Sequence, residues 1–150
     1  MTSERRARVG LEVSEADTAI MMRSGDVPVL ATPRVVALCE EAACAAVAGM
    51  HEPGRTSVGT WIELEHLAPS SIGAEIVAEA TLTHTDGRRL EFDLTVSDGG
   101  AVVARGRHRR LVVDRARFLG HPWRLRRAQR RPAAPPQSSS GRRVSLTRCS

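Results

Sequence analysis

The sequence predicts an α+β domain in which an antiparallel sheet wraps its apolar face around one long helix. Three observations carry this. One segment, and only one, combines a helical apolar period with a start signal and a stop signal. The segments after it show the two-residue period of half-buried strands. Two of the three breaks between those strands are short Asp-Gly turns, which join antiparallel neighbours. With 150 residues the chain is long enough for one domain with a real core. Hydrophobic residues make up 41% but aromatics only 3%, so the core has to be built from Val, Leu, Ile and Ala.

The elements follow in order. "RVGLEV", residues 8–13, suits a short strand, and residues 15–30 look irregular, with "SGDVP" a turn signal. The helix is expected over residues 33–48. Thr32 reads as its N-cap, Pro33 suits the first helical position, and Gly49 suits the C-terminal end. "HEPGR" is a loop. In the strand over residues 58–67, Val58, Thr60, Ile62, Leu64 and His66 share one face, and Gly59, Trp61, Glu63 and Glu65 the other. Strands are also expected over residues 74–84, 89–97 and 101–114, with turns at Asp86-Gly87 and at Asp98-Gly99-Gly100. In the third of the four, Leu90, Phe92, Leu94 and Val96 lie on one face.

The net charge of +5 is unevenly distributed. All 22 basic residues are arginine. Residues 121–150 hold eight of them and no Asp or Glu, which leaves residues 1–120 with 14 Arg against 17 acids, a net of −3. The chain therefore divides into a body, residues 1–120, and an Arg/Pro/Ser-rich tail, residues 121–150. Such a tail buries too little apolar surface to offset its ordering entropy and is expected to be disordered. It is a solvated appendage rather than a nucleic-acid module, since no recognition motif accompanies its charge. No run of about 18 uncharged apolar residues occurs, so no membrane span is expected. "MTSERRARVG" lacks the apolar region of a secretory signal, and the expectation is a cytoplasmic protein. Three cysteines make neither a disulfide framework nor a metal site. Cys39 reads as a small buried hydrophobe, and no cofactor or metal ion is expected.

Polar groups placed near the core are the candidates for chemistry. At about 100° per residue, Val35, Val36, Leu38, Cys39 and Val47 point broadly one way. Glu41 falls with Arg34 on the solvent side, whereas Glu40 lies about 40° from Val36 and about 20° from Val47. A carboxylate on the flank of the buried stripe has to be paired or hydrogen-bonded. His66 ends the apolar face of its strand, the face that covers the helix. Glu40 and His66 are thus drawn toward one layer, as the partly buried groups of acid–base sites are. Thr32, at the positive end of the helix, suits a carbonyl oxygen that gains negative charge. Eight residues separate Thr32 from Glu40, a rise of about 12 Å, so a single site using both needs a long substrate or a second subunit.

On four stretches, "SGDVPVLATP", "ALCEEAA", "SVGTWIELEHLAPSSIG" and "GRHRRLVVDRARF", the chain resembles the hot-dog-fold acyl-CoA thioesterases, and among them the fluoroacetyl-CoA thioesterase-like group. The resemblance runs from about Val9 to Leu119. It implies a single hot-dog domain, hydrolysis of a short or medium acyl-CoA, a catalytic set of Thr32, Glu40 and His66, and a homodimer with active sites between subunits. In the family's schemes Glu40 is a general base or a nucleophile, and Thr32 is a rival nucleophile. His108 matches the family pattern in the last strand. Arg107 and Arg109 depart from it, and with Arg105 they put three cations on one strand face, where the phosphates of coenzyme A or plain solvent are their possible partners. The Asp and His five residues apart that mark hot-dog hydratases do not occur. A non-catalytic acyl-CoA-binding dimer is the alternative function.

Overall fold

In a computed structural model of the chain, which describes residues 4–120, an antiparallel sheet takes the order β1-β3-β4-β5-β2. Its strands are β1 (Arg6–Glu12), β2 (Arg55–His66), β3 (Glu75–Asp86), β4 (Arg89–Asp98) and β5 (Ala101–Asp114). The helix α1 (Thr32–Ala46) lies across the inner face of β1 and β3, and a short helix α2 (Arg115–Leu119) follows β5. The tail expected to be disordered falls outside the described residues. No helix among them is long and apolar enough to cross a membrane.

The alternation of β4 places Leu90, Phe92, Leu94 and Val96 in the core, all at 2% exposure or less. Each contributes about 1.5–3 kcal/mol by leaving water. They pack with Ile76, Ala78 and Ala80 of β3 and with Val35, Leu38, Cys39, Ala42 and Ala43 of α1. Alanines on the helix let the sheet approach closely, which suits a chain with few aromatics. At the β4–β5 turn, Asp98 pairs with Ala101, and Gly99 and Gly100 take φ of 55° and 88°. Both central residues lie at positive φ, as a two-residue hairpin turn of matching twist requires.

Two sequence expectations change. The helix N-cap is Ala31, in extended conformation, and Thr32 is already helical. The Thr32 hydroxyl therefore does not cap the helix and is free for another partner. Alternation along β2 also breaks. The register runs Ser57↔Val112, Val58↔Leu111 and Gly59↔Arg110, then Trp61↔Arg109 and Ile62↔His108. Thr60 is the extra residue of a bulge, which moves the earlier residues of the strand to the opposite face. Gly59, not Val58 or Thr60, shares the inner face with Ile62, Leu64 and His66.

The segment leading into α1 is pinned by a carboxylate. Asp17 accepts hydrogen bonds from the Ser14 N–H and hydroxyl, both at 2.8 Å, and from Arg34 Nε at 2.9 Å. The Ala31 N–H bonds the Asp17 carbonyl. Burial acts to raise the Asp17 pKa, but the Ser14 donors and Arg34 outweigh it and hold the carboxyl below its ordinary value. Stability from this group is present above the unfolded value of 3.8 and is lost as pH falls through the lower folded value. Asp17→Ala should cost about 2 kcal/mol in urea denaturation at pH 7, with the difference from the parent shrinking in acid.

Candidate active site

Two polar clusters face the interior, one at each end of the inner face of β2. The first is formed where α1 begins. The Thr32 Oγ1 lies 2.8 Å from His66 Nδ1, the last residue of β2. His66 is half-buried, and its Nε2 is fully enclosed without a hydrogen-bond partner. Burial disfavours the imidazolium and lowers the His66 pKa below 6.5, partly offset by the Ala68 backbone oxygen. The ring is therefore neutral near pH 7, with one nitrogen available to accept a proton. This pair opens into a cleft of about 310 Å³, lined also by Ala19, Asp26, Val27, Leu30 and Leu67. A hydroxyl within hydrogen-bond reach of a neutral imidazole, at the positive pole of a helix, is the arrangement of an activated oxygen nucleophile.

The second cluster surrounds Glu40. Arg110 of β5 is 6% exposed and His108 is 2% exposed. Arg110 Nη1 donates to Glu40 Oε2 at 3.2 Å and to His108 Nε2 at 3.2 Å. The Arg110 Nε donates to Ser57 Oγ at 2.9 Å, and Nη2 donates to the Ser57 carbonyl at 3.0 Å. The His108 Nδ1 lies 2.8 Å from the Trp61 carbonyl, which only accepts, so Nδ1 carries the hydrogen and Nε2 is the acceptor facing Arg110. Burial lowers the His108 pKa and Arg110 adds to this, against the opposing pull of the Trp61 carbonyl and Glu40. The Glu40 side chain keeps 42% of its surface exposed. Gly59 makes room for it, since a Cβ there would stand 2.5 Å from Glu40 Oε2.

The site residues expected from sequence are thus divided. Thr32 and His66 meet. Glu40 sits on the flank of the buried stripe as the helical wheel placed it, and Glu41 is exposed. Within one protomer, however, the imidazole beside Glu40 is His108, whose Nε2 is 3.8 Å from Oε2, and not His66. Sequence reasoning passed over His108 and Arg110 as site residues. Their signal was the alternation of β5, which puts Ala104, His108, Arg110 and Val112 inward and Arg105, Arg107 and Arg109 outward. The outward arginines pair across strands with Glu65, Glu63 and Glu91, and Trp61 stacks under Arg109 at 4.5 Å. Their charge is neutralised by neighbours on the same face, which leaves no surplus for coenzyme A phosphates. Cys39 is buried, and that burial, with Glu40 adding to it, pushes its thiol up to about 12, so it is a packing residue.

A family model described as fluoroacetyl-CoA-specific thioesterase matches residues 13–116. The chain belongs to that thioesterase family. The fluoroacetyl-CoA thioesterase of Streptantibioticus cattleyicolor is 36% identical over 90 residues, 60% of this chain. The match spans 65% of that relative's length. A crystal structure of a point variant of the fluoroacetyl-CoA-specific thioesterase FlK, in complex with fluoroacetate and CoA, superposes with a TM-score of 0.72 at 29% identity. It covers 79% of this chain and 99% of that one. A hypothetical thioesterase superfamily member from Thermus thermophilus reaches 0.76 at 22% identity, over 85% of this chain and 97% of its own, a likeness of fold alone. The hot-dog architecture expected from the sequence is borne out.

Both inward imidazoles are held neutral, and this sets a sign for pH. Below 6.5 the unfolded chain takes up protons at His66 and His108 before the folded chain does. The protein should therefore lose thermal stability as pH falls from 7 to 5, and His108→Gln should flatten that slope in melting curves.

Proposed function

We propose that this family member hydrolyses a short or medium acyl-CoA thioester to the free acid and coenzyme A, as a homodimer whose active sites combine residues of both subunits. The observation that carries the reading is the 2.8 Å contact between Thr32 Oγ1 and His66 Nδ1 inside a cleft at the start of α1. His66 takes the Thr32 proton as Oγ1 attacks the thioester carbonyl. The carbon–sulfur bond breaks, and the imidazolium returns its proton to the departing thiolate. The helix N-terminal pole stabilises the oxyanion. Water then attacks the acyl-threonine carbonyl as the Glu40 carboxylate takes its proton; the ester C–O bond breaks, and that proton passes to the departing Thr32 Oγ1 as the free acid leaves. The contact favours Thr32 as attacking oxygen over a purely polarising role. This reading carries the cytoplasmic expectation with it, since acyl-CoA is an intracellular substrate.

Glu40 reaches such a site through a second copy. In the protomer β2 is an edge strand of 12 residues. A long uncovered edge exposes a row of unpaired backbone groups and invites pairing. Two β2 edges joined antiparallel about a two-fold at Glu63, with Thr60 as the extra residue of the bulge, set Gly59 opposite the partner's His66. Glu40, which lies over Gly59, is then carried toward the neighbouring Thr32–His66 pair. Arg110 holds the carboxylate for this purpose, and its removal leaves Glu40 unanchored.

Four measurements test the reading. Thiol release over a panel of acyl-CoAs should be detected with the parent, whereas a non-catalytic binder would gain thermal protection without releasing thiol. Glu40→Gln and Thr32→Ala should each lower turnover by about 10²-fold or more. Arg110→Met should lower it by about 10²-fold through misplacement of Glu40. Mixed Glu40→Gln and His66→Ala subunits should recover about one quarter of parent activity, because half the dimers then hold one intact site of two. No recovery on subunit exchange would refute the shared site.

A further inference from the structure

The turn signal "SGDVP" has no part in the chemistry above, yet it forms one wall of the cleft. Ser24, Gly25, Asp26 and Val27 all line it, opposite Thr32 and His66. Most of the remaining lining is apolar: Ala19, Val29, Leu30, Leu67, Ala68 and Pro69. Asp26 is the one carboxylate, and no arginine is among the described residues that line the space. The nearby Arg34, at the start of α1, is committed to Asp17 through its Nε. Within the wall that one protomer supplies, an acyl chain entering toward Thr32 thus meets apolar surface and one fixed negative charge, with no cation to receive an anion.

We propose that Asp26 is a specificity-determining residue that selects uncharged acyl groups and rejects those bearing a second carboxylate. The inference rests on the thioesterase reading for its substrate class. The physical cause is repulsion between like charges across an open cleft, where Asp26 is exposed and the interaction is of the size that water-screened charges have at close range. Desolvation of a carboxylate against the apolar wall also disfavours it, so the part carried by Asp26 is the part of the discrimination that Asp26→Asn removes.

The test uses two esters of one shape. Isovaleryl-CoA and malonyl-CoA share a methylene next to the thioester and differ in ending on two methyls or a carboxylate. Dissociation constants are measured by calorimetry on the full chain and on Asp26→Asn, each carrying Thr32→Ala so that the esters are not consumed during the titration, at low and at high salt. The parent should bind isovaleryl-CoA about tenfold tighter or more, and Asp26→Asn should narrow that ratio about fivefold. Salt should narrow the ratio in the parent and have little effect on it in Asp26→Asn. A ratio unchanged by Asp26→Asn, equal binding of the two esters by the parent, or binding of neither overturns the inference. Thiol release is read separately: binding with the expected ratio but no release would sink the hydrolase reading and leave the charge filter standing.

Discussion

Arg110 puts a permanent positive charge on the inner face of the sheet, and much of the site is arranged to accommodate it. A guanidinium at 6% exposure is costly unless its donors are met. Ser57 takes two of them, His108 another, and the Glu40 carboxylate supplies the opposite charge. Each partner then inherits a constraint. His108 is locked in the tautomer that presents an unprotonated Nε2, because the Trp61 carbonyl claims its other nitrogen. Gly59 has to lack a side chain, because the carboxylate occupies the place of its Cβ. The bulge at Thr60 supplies the change of face that puts Ser57 and Gly59 inward while Ile62 and Leu64 keep their place in the core.

The same arrangement explains why one protomer holds two separate polar clusters. The helix rises about 12 Å between Thr32 and Glu40, so the residues that share a face of α1 are spread along the inner surface of the sheet. At its start the helix presents a hydroxyl to the end of β2, and two turns on it presents a carboxylate to β5. A straight helix with both groups on one flank does not fold them together. In the proposed dimer a symmetric partner would, because an antiparallel strand edge reverses direction and sets the far end of one β2 beside the near end of the other.

Charge on the two faces of β5 serves different ends. Outward Arg105, Arg107 and Arg109 alternate with inward Gly106, His108 and Arg110, and the outward set pairs with glutamates across the strands. Such exposed pairs contribute little to stability. They keep the edge of the sheet polar and leave the face without surplus charge. The inward pair, His108 and Arg110, meets a single acid and is shielded from water. Identical residue types one position apart in the chain therefore differ in role, and the pleat is what separates them.

Much of this was legible in the sequence. The helix, the β4 core face, the hairpin turns and the solvent orientation of Glu41 follow from period and turn chemistry, which act between near neighbours in the chain. Glu40 and His66 stood out for the same reason, as polar groups at positions where burial is due, and Thr32 as the hydroxyl at the positive end of the helix. What periodicity does not carry is a break in periodicity. The bulge at Thr60 depends on the register of β2 against β5, and the choice of His108 over His66 as the companion of Glu40 depends on which strand the helix flank meets. Release of Thr32 from capping depends on the extended backbone of Ala31, held by the Asp17 carbonyl. Each of these is a contact between segments distant in sequence, settled by packing and by the need to satisfy a buried charge, and so belongs to the tertiary structure alone.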